Sequence, residues 1–323
     1  MRRRNTFLLA LVFILLGAYV YFFELQEGTK ENTERLLNFR EEEVEGIILN
    51  YPEQEIRLRK EVLGRWKITR PLESAADEST VSAILAALNT GEVKRTFEEK
   101  ASEADLKNYG LDRPEVKVLI TLRNGVALPA IFVGAKTPVG NSAYIRRGAE
   151  PGVILTDASI RSKLEKKLND FRNKEFLAIP RDQVAELQIF TPKESLVLTK
   201  GEKEEWKVEA PKKGVAKQPL ISDYLTLLSH LRAKGFADDE AKDLKKYGLD
   251  SPAVKISAVA KDGKTLAVLL LGNKSGTEYY AAREGNPAVY TIDEFSYSQL
   301  NKKPTDFLEQ EKKERSAPGK AGN

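Results

Sequence analysis

Asp105-Leu-Lys-Asn-Tyr-Gly-Leu-Asp-Arg-Pro114 returns later in the chain as Asp243-Leu-Lys-Lys-Tyr-Gly-Leu-Asp-Ser-Pro252. Eight of the ten positions are identical in the two copies. A match of this length within one chain is very improbable by chance, so it indicates an internal duplication. In each copy the tyrosine, the helix-ending glycine and the helix-blocking proline are predicted to be structural: Tyr109, Gly110, Pro114, Tyr247, Gly248 and Pro252.

The sequence around the repeat keeps nearly the same spacing between the copies. The only two tryptophans, Trp66 and Trp206, lie slightly further apart along the chain than the two motifs do. Val133-Gly134 corresponds to Leu271-Gly272 at the same spacing as the motifs. Because the spacing drifts so little, the insertions and deletions must fall in turns. We therefore predict two modules, the first over residues 44–180 and the second over residues 181–308.

Both modules are predicted to be α+β, with an antiparallel sheet and a few helices. Residues 47–49 are apolar and residues 56–58 alternate between apolar and polar, and both segments are predicted to be strands. Apolar residues at helical spacing predict a helix over residues 79–88, with Ser79 or Thr80 as its cap. Further alternating segments joined by glycine-containing turns follow the repeated motif. This order of elements favours a meandering antiparallel sheet over a parallel one.

An uncharged apolar run over residues 7–23 predicts one N-terminal transmembrane helix. At a rise of 1.5 Å per residue the run covers roughly 25 Å, the lower edge of what a membrane span needs. Three arginines precede it and aromatic residues crowd its far end, so the N-terminus is predicted to be cytoplasmic and the modules to lie outside. The alternative is a cleaved signal peptide, but the best cleavage site, Leu16-Gly17-Ala18, has a large residue where a small one is needed.

Composition limits what the rest of the chain can do. The chain has 52 basic and 48 acidic side chains, and three of the basic ones precede the apolar run. The near-neutral remainder argues against nucleic acid as a partner. The absence of cysteine excludes disulfides, thiolate metal sites and a lipoprotein anchor. Residues 25–43 are predicted to be a polar spacer, and residues 309–323 a disordered tail.

The repeated Tyr-Gly-Leu-Asp-x-Pro motif, the turn over residues 133–140 and the strand over residues 143–146 resemble domain of unknown function 4340 (DUF4340). The resemblance covers residues 44–310, and only the second module departs from the family's turn, over residues 271–276. It implies a bacterial protein anchored once in the cytoplasmic membrane, with its body periplasmic or extracellular. It also implies a setting like that of proteins that accompany ABC-type transport systems, and it supplies no catalytic residues.

One turn stands out as a candidate recognition site. It presents Thr137, Asn141 and Tyr144 between two predicted strands, and loops carry function more often than cores do. A phosphate-binding loop is a poor interpretation, because Ala135 stands where that motif needs glycine. Tyr109 and Tyr247 are interpreted as packing residues rather than ligand-stacking residues, since each precedes a glycine that ends a helix.

No catalytic, cofactor-binding or metal-binding residue is predicted. His230 is the only histidine, so a histidine-based metal site is excluded and a catalytic triad has no recognisable partners. The leading hypothesis is therefore a non-enzymatic binding or assembly module in the cell envelope, beside an ABC-type transporter or another envelope complex. Two alternatives remain open: a hydrolase of envelope polymers that uses paired carboxylates, and a binder of a small ligand between the two modules.

Overall fold

The computed structural model describes residues 34–309, which form two compact units that divide between Arg172 and Asn173. The predicted boundary at 180/181 lies too far along the chain. Phe176, Leu177 and Ile179 are buried in the core of the second unit, so the segment before 181 belongs to that unit. The first and second modules below are these two units.

The first module also begins earlier than predicted. Leu36, Leu37 and Phe39 are buried in its core, and the Leu36 amide donates to the Gly91 carbonyl at 2.8 Å. Residues 34–43 are therefore part of the fold, and the prediction of a polar spacer is wrong for them. Three apolar residues among glutamates and arginines give too weak a pattern to indicate burial, yet they cover the end of a helix.

A nine-stranded antiparallel sheet forms the first module, with strand order β4-β3-β2-β1-β6-β7-β8-β9-β5. Its strands are β1 (Val44–Asn50), β2 (Glu55–Lys60), β3 (Trp66–Arg70), β4 (Ser74–Ala75), β5 (Arg95–Glu98), β6 (Val116–Leu122), β7 (Ile131–Lys136), β8 (Ser142–Arg147) and β9 (Val153–Asp157). Its helices are α1 (Glu78–Thr90), α2 (Glu103–Asn108), α3 (Ser159–Leu164) and α4 (Leu168–Phe171), and Glu41–Glu43 forms a 3-10 turn before β1.

Helix α1 covers one face of this sheet, as its apolar spacing predicted. Val81, Ile84, Leu85 and Leu88 are buried against the sheet. The cap is Asp77 rather than Ser79 or Thr80, since its carboxylate accepts from the Thr80 amide at 2.9 Å. An aspartate at this position accepts hydrogen bonds from amides that have no partner within the helix. Its negative charge also interacts favourably with the positive end of the helix dipole, so it stabilises the start of α1.

The second module repeats this architecture, with strand order β13-β12-β11-β10-β15-β16-β17-β18-β14. Its strands are β10 (Val184–Phe190), β11 (Ser195–Lys200), β12 (Trp206–Ala210), β13 (Gly214–Val215), β14 (Gly235–Asp238), β15 (Val254–Ala260), β16 (Thr265–Ser275), β17 (Glu278–Arg283) and β18 (Val289–Asp293). Its helices are α5 (Gln218–Ser229), α6 (Glu294–Leu300) and α7 (Pro304–Phe307), with 3-10 turns at Arg181–Gln183 and Lys245–Tyr247. The predicted α+β duplication is confirmed.

Within residues 34–309 no helix is long and apolar enough to cross a membrane. The predicted span over residues 7–23 lies outside the described residues, as does the predicted tail beyond Glu309. The Glu309 amide itself donates to the Val215 carbonyl at 3.0 Å.

Candidate functional site

The repeated motif ends a helical turn in both modules. Gly110 and Gly248 each have a φ of +67°, which a residue with a side chain rarely adopts. The chain then turns back. The Leu111 amide donates to the Leu106 carbonyl at 2.7 Å, and the Leu249 amide donates to the Leu244 carbonyl at 3.0 Å. The glycine in the motif is thus required by the backbone, and the leucine after it is turned toward the sheet.

This motif lies on the sheet face opposite α1, where it builds a second, smaller core. Leu111 is buried there with Tyr144, Val153 and Leu155, and Tyr109 packs against them. The Ala135 amide donates to the Tyr109 carbonyl at 2.8 Å, which brings the backbones of the motif and β7 into contact. The second module has the same arrangement around Tyr247 and Leu249. Tyr109 and Tyr247 therefore pack in the fold.

Each of these tyrosines also donates its hydroxyl to an acid on the edge strand. Tyr109 donates to Glu98 at 3.0 Å, and Tyr247 donates to Asp238 at 2.8 Å. Burial and the bond to Glu98 raise the pKa of Tyr109, and the Tyr247 hydroxyl lowers the pKa of Asp238. The fold thereby holds both acids in place.

An aromatic cleft of about 390 Å³ opens beside this second core in the first module. It is lined by Lys94, Arg95, Phe97, Thr137, Pro138, Val139, Ser142, Tyr144 and Leu155. We use the name aromatic cleft for this set of residues.

Two rings that line the cleft, Phe97 and Tyr144, pack together with Tyr109 of the second core. Tyr109 and Tyr144 stack with centroids 4.5 Å apart, and Phe97 meets both edge-on, at 5.4 Å and 5.2 Å. Tyr144 and Leu155 are buried, whereas Phe97 is 37% exposed and Val139 is 88% exposed. The cleft thus has a fixed aromatic floor and an apolar rim open to solvent.

The structure brings two of the three predicted recognition residues into this cleft. Tyr144 forms part of the floor, and Thr137 lines the wall, where its hydroxyl donates to the Val139 carbonyl at 2.9 Å and so shapes the turn. Asn141 is exposed and does not line the cleft, although its carbonyl accepts from Lys94 at 3.0 Å. The turn joins strand β7 to strand β8, which agrees with the rejection of a phosphate loop.

Cations occupy one side of the cleft. Lys94 pairs with Asp157 at 3.0 Å, while the Arg95 guanidinium lies 5.3 Å from the centre of the Phe97 ring. Hydrogen bonds from Ser159, together with Lys94, lower the pKa of Asp157 to about 2. Arg95 has no carboxylate partner within residues 34–309, so the cleft combines aromatic surface with an uncompensated positive charge.

Sequence reasoning missed Lys94, Arg95 and Phe97 as site residues. They lie about forty residues before the predicted turn, and only the register brings them together: Arg95 pairs with Leu155, which pairs with Tyr144. A signal was available in the repeat, because the second module keeps Tyr109 and Tyr144 as Tyr247 and Tyr280. On its matching edge strand, β14, Gly235 and Ala237 stand in place of Arg95 and Phe97.

Two other kinds of site, one based on His230 and one based on a metal ion, find no support in the described part of the chain. His230 caps the end of α5, with Nδ1 3.0 Å from the Thr226 carbonyl. Among residues 34–309 no three histidine, cysteine, aspartate or glutamate side chains are grouped so that they could hold a metal ion. The aromatic cleft, whose Arg95 and Phe97 are absent from the matching strand of the second module, is therefore taken as the candidate functional site.

Comparison with known families gives one match. The model for "Domain of unknown function (DUF4340)" matches residues 66–252 and 228–313, which together include both copies of the repeated motif. The chain belongs to the DUF4340 family. This confirms the resemblance inferred from the motif. No curated protein and no solved structure matches the chain. The description of the DUF4340 family gives no activity, and the aromatic cleft is the feature of this chain that bears on function.

Proposed function

We propose that this DUF4340 protein is a non-enzymatic binding module of the bacterial envelope, tethered to the cytoplasmic membrane by residues 7–23. Its two modules work on the outer side, and the first binds a protein partner, which we take to be part of an ABC-type transport complex or another envelope assembly. The apolar run with its preceding arginines supports the tether.

The single observation that carries the binding role is the difference between two copies of one module. Both copies keep the tyrosines that the fold needs, but only the first adds Phe97 and Arg95 to them. Aromatic and arginine side chains are the residues that most often dominate the binding energy of protein interfaces. The architecture that both copies share therefore does not require Phe97 and Arg95.

The size and charge of the cleft indicate what it holds. Its volume of about 390 Å³ lies near the small end of ligand pockets, which suits one large side chain and its neighbour. Arg95, which has no carboxylate partner within residues 34–309, favours an acidic group beside that apolar side chain, whereas Lys94 is already paired with Asp157. We therefore propose as ligand a segment of a partner protein in which an aromatic or large aliphatic residue adjoins an aspartate or glutamate.

The acids nearest the cleft favour binding over hydrolysis. Asp157 has a pKa of about 2 and is held by Ser159 and Lys94, while Glu98 accepts from Tyr109. A glycosidase needs one carboxylic acid that stays protonated near neutral pH and a second carboxylate on the other side of the bond to be cleaved. Asp157 does not fit the first role, and the side chain of Glu98 is already engaged.

Purification of the full-length protein from native membranes in mild detergent tests this proposal. We expect a defined envelope partner to co-purify, and deletion of residues 1–24 to release a folded, water-soluble protein. Recovery of no partner, together with turnover of an envelope polymer by the purified protein, would show that the hydrolase alternative is correct.

A further inference from the structure

The hairpin between β2 and β3 in the first module presents two apolar side chains at its tip. Val62 is fully exposed and Leu63 is 90% exposed. Two backbone hydrogen bonds close the turn. The Glu61 amide donates to the Arg65 carbonyl and the Gly64 amide donates to the Glu61 carbonyl, both at 2.8 Å. Nothing within residues 34–309 covers these two adjacent aliphatic side chains. An apolar patch that the fold leaves exposed in this way indicates a surface that contacts something outside the module.

The corresponding hairpin of the second module has the opposite character. Lys200 pairs with Trp206 there as Lys60 pairs with Trp66, so Glu202 and Lys203 stand in place of Val62 and Leu63. Over the whole hairpin, residues 55–70 contain six basic and two acidic side chains, whereas residues 195–210 contain three basic and four acidic ones. The same turn is therefore apolar and basic in the module next to the predicted anchor, and polar and slightly acidic in the other.

The register places this tip at the end of the sheet from which the chain enters the module. Gly46 pairs with Arg59 and Val44 with Leu122, so the start of β1 and the β2–β3 turn lie at the same end. Arg147, the last residue of β8, lies at this end too and binds Glu34 at 2.6 Å. Glu34 comes ten residues after Glu24, which follows the apolar run, and ten residues span at most about 36 Å.

Two basic residues flank the tip: Lys60, whose ammonium lies 5.5 Å from the centre of the Trp66 ring, and Arg65, which is exposed. Arg59 and Lys67 pair with Glu45 and Glu73, but Lys60 and Arg65, which flank the tip, have no carboxylate partner among the described residues. The 3-10 turn Glu41–Glu43 precedes β1 at this end, and two of its carboxylates already have partners. Glu43 pairs with Arg40, and Glu41 accepts a hydrogen bond from the Ser82 hydroxyl at 2.6 Å. Basic side chains attract anionic lipids over short distances.

We infer that the β2–β3 hairpin contacts the lipid bilayer, with Val62 and Leu63 inserted among the lipids and Lys60 and Arg65 at the anionic headgroups. This inference rests on the membrane tether of the proposed function and adds a second membrane contact to it. The hairpin would fix the orientation of the first module, so that the β7–β8 turn at the opposite end of the sheet, with the rim of the aromatic cleft, faces away from the membrane. Pairing of Val116 with Val133 and of Ser142 with Asp157 sets that opposite end.

A single label on the full-length protein tests this contact, because the chain has no cysteine of its own. Val62→Cys and the matched control Glu202→Cys each carry an environment-sensitive fluorophore. The protein is reconstituted in phosphatidylcholine vesicles that contain phosphatidylglycerol, with and without a quencher attached to the lipid chains. We expect blue-shifted emission and quenching by the lipid-borne quencher at position 62, and emission typical of water without quenching at position 202. Adding Leu63→Lys to Val62→Cys should reduce both signals.

Other outcomes separate this inference from the proposal on which it rests. A chain that floats with the vesicles while position 62 reports water would overturn the bilayer contact and leave the tether intact. A blue shift at position 62 without quenching by the lipid would also overturn it, because a protein contact then covers the tip. A chain that does not float with the vesicles overturns the tether and the hairpin contact together.

Discussion

Gly134→Ala should destabilise the first module, because the repeated motif approaches β7 too closely for a side chain. A Cβ at this position would lie well under 3.0 Å from the Tyr109 carbonyl oxygen and 3.0 Å from the side chain of Leu111. Two real atoms do not come that close, so the motif would have to move away from the sheet. The hydrogen bond from the Ala135 amide to the Tyr109 carbonyl, 2.8 Å long, would be strained by the same movement.

The size of the effect follows from these two losses. Overfilling a packed site costs about 1–3 kcal/mol, and a typical hydrogen bond contributes about 1 kcal/mol. Replacing glycine by alanine returns up to about 1 kcal/mol by restricting the unfolded chain. The free energy of unfolding of the first module should therefore fall by about 1–4 kcal/mol. Gly272→Ala should have a similar effect on the second module, because its Cβ would meet the Tyr247 carbonyl in the same way.

Urea unfolding measured by tryptophan fluorescence can follow one module at a time. Trp66 and Trp206 are the only tryptophans, one in each module, and both are buried. A Trp206→Phe background thus reports on the first module alone. Gly46→Ala is the control, since its Cβ would lie 3.7 Å from its nearest neighbour, in ordinary contact. If Gly134→Ala costs no more than Gly46→Ala, the close approach of motif and strand does not stabilise the fold.

Two further predictions concern the groups around the second core and the cleft. Tyr109→Phe and Tyr247→Phe should each lower the free energy of unfolding by about 0.5–1.5 kcal/mol, since each removes one hydrogen bond to a carboxylate; urea unfolding that shows no loss for either would contradict this. Asp157 should titrate near pH 2 by NMR, because its pKa is lowered in the folded protein. Its contribution to stability should be complete above about pH 4 and decline as the pH falls toward 2, and Asp157→Asn should remove that pH dependence. A midpoint at the ordinary aspartate value would contradict the role of Ser159 and Lys94.

The repeat could be predicted from sequence because its strongest signals are local. Tyr-Gly-Leu-Asp-x-Pro combines a left-handed glycine with a proline that blocks a helix, and both follow from backbone geometry. The alternating strands and the spacing of Val81, Ile84, Leu85 and Leu88 predicted the sheet and α1 for the same reason. These patterns carry their structural meaning within a few residues.

The module ends and the aromatic cleft could not be predicted from sequence in this way. Leu36 and Phe39 become core residues only because the segment before β1 lies along α1, where the Phe39 amide donates to the side chain of Asn89 at 3.2 Å. Phe97 joins Tyr144 only because the short edge strand β5 pairs with β9. Contacts between residues this far apart depend on the strand order, which periodicity does not reveal.

Photo-crosslinking from Val139 in native membranes tests the binding role of the first module most directly. Val139 lies on the exposed rim of the aromatic cleft, so a photoreactive residue there should crosslink to one defined envelope protein. Phe97→Ala, which installs the residue found at position 237, should lower the yield on the order of tenfold or more, as expected for an aromatic hot spot. Phe190→Ala is the matched control, because Phe190 is 39% exposed and lies in the second module. If neither Phe97→Ala nor Phe190→Ala changes the crosslinking yield, the aromatic cleft does not bind the partner.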